Sequence, residues 1–330
     1  MNLVDKFKAA VSIAQVKFSG KQIPVFLSWP ITHRCNYACL YCGRPDQSGV
    51  ELPTKRALEI VDEFAELGTQ FVFLSGGEPL VRSDLSEIIS RFRQHRVFVC
   101  LTTNGSLYLA RKKEIGRVNM LKLSLDGPEE IHDSFRAKGS FAEVKAVLED
   151  AQKDGIQVML NPVISTATLP HLETLLSIAE EYQATVKFQP INYLPAGTKD
   201  ISPLIPNHEQ FIEMSQKLQM LKKRTRTVAN THAGISYLST LPEGGPLKCY
   251  AGRLFAYLMP NGNLFPCNKR EELTTPQSCA DQPAAKALEQ LSSVSCRTCW
   301  CTSDVELNLM MTLNPQDVFD VLRRVISKGF

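Results

Sequence analysis

No run of about 18 apolar residues occurs anywhere in this chain of 330 residues, so nothing in it is expected to cross a membrane. No charge of one sign dominates: 37 basic residues stand against 34 acidic ones, a net charge of +3. That balance leaves no electrostatic case for a nucleic-acid partner, whose binders concentrate positive charge in a patch. A secretion signal is also missing. Lys8, Gln15 and Lys17 interrupt what would have to be its apolar core, and a cytoplasmic location is expected. Internal repeats and low-complexity tracts are absent. The histidines at 33, 132, 171, 208 and 232 are scattered, and none is paired with a nucleophile or acid in a hydrolase pattern.

What the chain does have is cysteine, ten in all. In a reducing compartment, clustered thiols serve metals or catalysis more than disulfides. Three fall within 35–42, three within 296–301, and Cys249 and Cys267 flank a turn. Cys100 lies in an apolar run and reads as a core residue, and Cys279 lies in a polar loop and reads as idle.

The pattern along the chain is an alternation. Residues 1–20 predict an amphipathic helix, with Val4, Phe7, Val11, Ala14 and Phe18 at helical spacing. Short β-favouring runs follow at 25–28, 71–75, 97–102, 120–125, 156–161 and 186–190. Helical patterns fill 54–67, 83–94, 106–115, 141–153 and 170–182. Buried strands alternating with longer helices predict an α/β fold with a parallel sheet, here a partial (β/α)6 TIM-like barrel rather than a full barrel of about eight units. Pro195, Gly197, Pro203 and Pro206 mark a connection, and 207–223 predicts a further helix. Beyond about 234 the chain is rich in Gly, Pro and Cys, without clear periodicity until 317–326. Such a segment is usually organised by metal. The expected division is an N-terminal helix at 1–24, a barrel at 25–230 and a small Cys-rich unit at 231–330.

Cys35, Cys39 and Cys42, spaced CxxxCxxC, bring three thiolates to one side of a short loop. Three thiolates fill three corners of a 4Fe–4S cubane and leave one iron without a protein ligand, whereas most electron-transfer clusters take about four. A zinc site built on Cys39-x-x-Cys42 is the alternative, with His33 nearby.

The loop resembles the signature of the radical S-adenosylmethionine (SAM) superfamily, and companions occur in order. Ser75-Gly76-Gly77-Glu78-Pro79 resembles the family's GGEP motif. Thr103-Asn104-Gly105 follows the third strand. Ser124-Leu-Asp126-Gly127 ends the fourth, with Arg136 beyond it. Each lies at the C-terminal end of a predicted strand, where parallel barrels build their sites. The resemblance implies that the bare iron chelates the methionine end of SAM, that Gly76 and Gly77 let backbone approach it, and that Glu78 accepts from its ammonium. It implies that Ser124 and Arg136 face its carboxylate, that Tyr41 packs on adenine, and that Asn104 belongs to the same site. Asn161 and Gln189, at the ends of later strands, are expected near the nucleoside.

Apolar runs at 254–259 and 264–265 around Pro260-Asn-Gly262-Asn predict a β-hairpin with a cysteine on each flank. With Cys296-x-x-Cys299-x-Cys301, this resembles the C-terminal extension called SPASM, or its shorter form, twitch. The resemblance implies one auxiliary 4Fe–4S cluster on Cys249, Cys267, Cys296 and Cys299, with Cys301 able to replace one of them. A structural zinc ribbon is the alternative.

The expected activity is reductive cleavage of SAM to a 5′-deoxyadenosyl radical and hydrogen abstraction from the substrate, fed by an electron donor such as flavodoxin or ferredoxin. A small-molecule or lipid-like substrate is expected ahead of a peptide one, because only about 24 residues precede the first strand and a leader-binding module is expected to be missing. Crosslinking or epimerisation of a peptide is the alternative reading. A zinc-binding protein and an iron–sulfur electron carrier are the others. The N-terminal helix is expected to pack on the barrel, and peripheral membrane contact through its lysine-flanked stripe is a second reading.

Overall fold

The structure is a computed structural model that describes residues 3–42, 49–191, 200–268, 274–292, 296 and 298–312. The expected connection at Pro195 and Gly197 and the periodic run at 317–326 lie outside the described residues.

Five parallel strands form the centre: β1 (Phe26–Pro30), β2 (Phe71–Ser75), β3 (Phe98–Thr103), β4 (Met120–Leu123) and β5 (Gln157–Leu160). Alternation divides their side chains. Leu27, Trp29, Val72, Leu74, Val99, Leu101, Leu121 and Leu123 point outward into a large apolar cluster with the helices. Phe26, Phe71, Phe98, Cys100 and Met120 point inward and form a second cluster. The period of two therefore produces two cores from one sheet.

The first helices, α1 (Leu3–Ser19), α2 (Thr54–Glu66) and α3 (Leu85–Gln94), show how helical spacing selects the buried face. In α2 that face is Ala57, Ile60, Val61 and Phe64. In α3 it is Leu85, Ile88, Ile89 and Phe92, the same i, i+3, i+4, i+7 set. Next come α4 (Tyr108–Ile115), α5 (Glu129–Phe135), α6 (Ser140–Lys153) and α7 (Leu172–Glu181).

The sixth expected strand is broken. Its first part is β7 (Thr185–Val186), which pairs with β5. Its second part is β8 (Gln189–Pro190), which pairs with β6 (Val163–Ile164) in a separate two-stranded sheet. Asn230 explains the break. Its side chain accepts from Phe188 N at 2.8 Å and donates to Phe188 O at 3.0 Å, replacing a ladder partner.

The rest comprises α8 (His208–Arg224), α9 (His232–Leu238), the strands β9 (Phe255–Leu258), β10 (Asn263–Phe265) and β11 (Gln277–Ser278), then α10 (Ala284–Glu289) and α11 (Thr302–Met310). The expected hairpin is β9–β10. It is not a separate layer: β9 pairs in parallel with β1, Phe255 opposite Phe26 and Tyr257 opposite Ser28. The sheet runs β11-β10-β9-β1-β2-β3-β4-β5-β7, straight across the boundary expected near 230.

Helix α1 departs from expectation. Ala9 and Val16 are buried against the inward cluster, with Ile13 packed beside them. Val4, Phe7, Val11 and Phe18 are exposed instead, Phe7 by 70% and Phe18 by 74%. The floor of the barrel is already filled by Phe26, Phe71 and Phe98, so a face of small and aliphatic residues seats more closely than the aromatic one. No helix among the described residues is long and apolar enough to cross a membrane.

Candidate active site at the mouth of the barrel

The Cys loop leaves β1 and stays paired to the end of β2. Ile31 N donates to Ser75 O at 2.9 Å, Gly77 N to Thr32 O at 3.0 Å and Glu78 N to Arg34 O at 2.9 Å. A Cβ on Gly76 would stand 2.6 Å from Thr32 O, and one on Gly77 would stand 2.3 Å from Arg34 O and 2.8 Å from Cys35 Cβ. The two glycines are thus required by the close approach of the Cys loop itself. At the loop's far end Leu40 N donates to Phe135 O at 2.8 Å, and Cys42 N donates to Cys39 O at 3.1 Å.

Glu78, expected to face an ammonium, is buried and accepts from three donors: Leu80 N at 3.0 Å, Thr103 Oγ1 at 2.8 Å and Asn104 N at 2.7 Å. Burial outweighs these bonds and pushes its carboxyl up to about 7. Its role in the fold is to tie the end of β2 to the end of β3. Asn104 continues the chain of contacts, donating from Nδ2 to Asn36 Oδ1 in the Cys loop at 3.0 Å.

Arg136, expected to meet a ligand carboxylate, is committed to Asp126. Its Nε lies 2.7 Å from Asp126 Oδ2, and both side chains are buried. Tyr41 Oη donates to the same oxygen at 3.0 Å, and Val163 N donates to Oδ1 at 2.9 Å. Burial alone would raise the Asp126 carboxyl, but Arg136 wins and holds it below the usual carboxylate range. The guanidinium carbon also lies 5.8 Å from the Tyr41 ring centroid, a cation–π distance. Asp126 N donates to His132 Nδ1 at 3.2 Å. Neither Asp126 nor His132 was assigned a role from sequence, although Asp126 sits inside a motif that was read.

Ser124 is half-buried just past the end of β4, its N donating to Thr103 O at 3.1 Å. Asn161 N donates to Leu123 O at 2.8 Å, and Asn161 Oδ1 is buried without a hydrogen-bond partner among the described residues. Gln189, also expected near the nucleoside, bonds to the start of α11. It accepts from Thr302 N at 3.0 Å and Thr302 Oγ1 at 2.6 Å, and donates to Trp300 O at 2.7 Å.

No disulfide joins any of the ten cysteines. Cys35, Cys39 and Cys42 lie within electrostatic reach of one another. Burial pushes Cys39 up to about 11, with Arg136 opposing, and burial also raises Cys35. Cys249 is raised by a hydrogen bond its thiol makes to Cys296 and by burial, with Cys267 nearby. Burial, Asp304 and Cys301 raise Cys299, and its N donates to Tyr237 Oη at 3.0 Å. The five late cysteines thus converge from separate segments. Cys279 is apart from them and buried rather than idle in solvent. Among the described residues no group of three cysteine, histidine or acidic side chains is drawn to metal-ligation spacing. The donor chemistry still fits iron–sulfur clusters: buried thiols held protonated are released as thiolates when metal binds. The orphaned Asn161 Oδ1 beside Ser124 fits a polar ligand at the same mouth.

Residues 29–180 match the family model described as Radical SAM superfamily. Among curated proteins, the chain is 30% identical over 261 residues to mycofactocin maturase MftC of Mycolicibacterium smegmatis, covering 75% of this chain and 65% of the maturase. It is 28% identical over 266 residues to the PqqA peptide cyclase of Granulibacter bethesdensis, covering 76% and 69%. It is also 28% identical over 268 residues to an AdoMet-dependent heme synthase of Methanosarcina barkeri, covering 74% and 76%. The chain therefore spans less than two thirds of the maturase. Its fold is that of SuiB from Streptococcus suis, solved bound to S-adenosylmethionine, with a TM-score of 0.68 at 16% identity, covering 83% of this chain and 67% of SuiB. These relatives correct the ordering of substrates expected from sequence: they favour the peptide alternative over the small-molecule reading.

Proposed function

We propose that this protein is a radical SAM enzyme that modifies a peptide, with one auxiliary cluster beside the barrel. The observation that carries the reading is the docking of the CxxxCxxC loop, through Gly76 and Gly77, onto the strand ends that bear Glu78, Asn104 and Asp126. In this reading Cys35, Cys39 and Cys42 hold the first 4Fe–4S cluster. Cys249, Cys267, Cys296 and Cys299 hold the second, with Cys301 as the substitute ligand. Together, the first cluster and SAM supply a 5′-deoxyadenosyl radical for hydrogen abstraction when bound.

The chain's own residues do the positioning. Glu78 ties the ends of β2 and β3 together beside the loop. Arg136 and Asp126 hold Tyr41 in place beside Cys39 and Cys42. Ser124 and Asn161 present polar atoms toward the nucleotide side. The inward aromatic floor and α1 close the far end of the barrel and exclude water. The peptide class is supported by the peptide cyclase and the maturase among the relatives. The heme synthase supports a small-molecule substrate instead.

Anaerobically iron-loaded protein with SAM and dithionite is expected to release 5′-deoxyadenosine. Cys35→Ser is expected to reduce that product to the background of a no-protein control, measured by liquid chromatography. Wild-type protein that binds iron and yields no nucleoside ends this reading. Mass spectrometry of short peptides encoded beside the chain, against a porphyrin as the competing small molecule, separates the two substrate classes.

A further inference from the structure

The outward leucines 74, 101, 121, 123 and 160 are sealed against helices. Their inward neighbours Phe73, Thr102, Lys122 and Met159 keep accessible surface. At that level the accessible space is the lumen of the barrel. Thr102 pairs with Lys122, and Lys122 with Met159, so the three side chains stand in one row across β3, β4 and β5. A second lysine shares the space. Lys187 Nζ donates to Glu306 Oε2 at 2.6 Å, and Glu306 Oε1 accepts from Thr231 N at 2.6 Å. Glu306 is thereby satisfied by Lys187 and Thr231. Lys122 is different: among the described residues it makes no direct ion pair or hydrogen bond, and Glu306, Cys301 and Cys100 act on it only through longer-range electrostatics.

We propose that Lys122 is an anion-binding residue that receives a carboxylate of the substrate inside the barrel, with Phe73 and Met159 contacting the apolar part of the same molecule. The proposal rests on the enzyme reading above and narrows its substrate to a group that carries a carboxylate next to apolar atoms. The physical reason is charge. An ammonium surrounded by protein without a direct ion-pair partner is costly, and burial and the like charge of Lys187 outweigh the more distant Glu306 and lower its pKa. A purely structural lysine would have a partner, as Lys187 does. A carboxylate neutralises one ammonium, whereas a phosphate of about two charges would leave an excess. The same chemistry is available from the carboxylate of SAM. Lys122 lies below Ser124 on β4, farther into the lumen than the Cys loop, which favours the substrate.

Thermal unfolding of the anaerobically iron-loaded protein tests this, in chloride and in acetate at equal ionic strength. Lys122→Met is expected to melt higher than wild type in chloride, because an uncompensated charge has been removed. Acetate is expected to raise the wild-type midpoint by a few degrees, the shift that about 1 kcal/mol of ligand binding produces, and to leave Lys122→Met and Lys122→Gln unmoved. Lys187→Met, which strands Glu306, is expected to melt lower. Lysine-122 variants that melt below wild type, or an acetate shift that persists in them, overturn the proposal. SAM binding, read from its perturbation of the cluster's visible spectrum, is expected to be unchanged in Lys122→Met. A tenfold loss there assigns the anion to SAM and overturns the substrate assignment. Failure of wild type to form 5′-deoxyadenosine tests the enzyme reading separately, since the acetate shift needs no turnover.

Discussion

His132 shows how a single buried side chain reports on the site. Its Nδ1 accepts from Asp126 N, which requires a neutral ring, and the residue is fully buried. Burial, then the positive charge of Arg136, lower its pKa from 6.5 to about 4. Between those values the unfolded chain binds a proton that the folded chain does not. The stabilisation is therefore complete above pH 6.5 and is lost as pH falls toward 4. Its size is at most about 1.4 kcal/mol for each pH unit of the window. Thermal midpoints recorded across that window are expected to fall more steeply for wild type than for His132→Gln, and equal slopes would show that His132 is not the titrating group. The sequence pointed to Glu78 and Arg136 as candidate residues of this mouth. It could not show that their charges are turned toward other parts of the protein, because Asp126, Thr103 and the amide of Asn104 reach them only through folding.

At the scale of elements, the parts with strong periodicity were legible. Helices α2, α3, α6, α7 and α8 and strands β1 to β5 lie within a few residues of their predicted bounds, because each repeats a buried face often enough to be read. Short helices were missed: α5, at 129–135, is one polar-rich stretch of two turns whose position is set by Phe135 O accepting from the Cys loop. The GGEP glycines are the sharpest element-level test. Gly77→Ala would push a methyl group into Arg34 O and Cys35 Cβ, both backbone-fixed atoms of the Cys loop. It is expected to cost about 1–3 kcal/mol from overpacking and to lower iron content per chain, measured by metal analysis of soluble protein. Full iron loading with unchanged stability would mean that the loop yields without consequence.

At the scale of the molecule, the Cys-rich segment is part of the barrel's sheet. β9 covers the open edge of β1, and Tyr250, Leu254 and Phe255 pack with Phe26 and Phe71. A fragment of residues 1–230 is expected to aggregate, since it exposes an unpaired strand edge and half of an aromatic core. The check is size-exclusion chromatography of the fragment beside the full chain, and a soluble monomeric fragment would show that the barrel stands alone.

Local order was written in the chain: the spacing of apolar residues determined which stretches became strands and helices, and the spacing of Cys35, Cys39 and Cys42 determined that three thiols share one loop. Only tertiary structure decided that α1 turns its aromatic stripe outward, that the late hairpin extends the first sheet, and that Glu306 pairs directly with Lys187 rather than with Lys122. The reason is physical. Periodicity acts between neighbours along the chain, whereas burial and charge pairing are settled by segments that meet only in space.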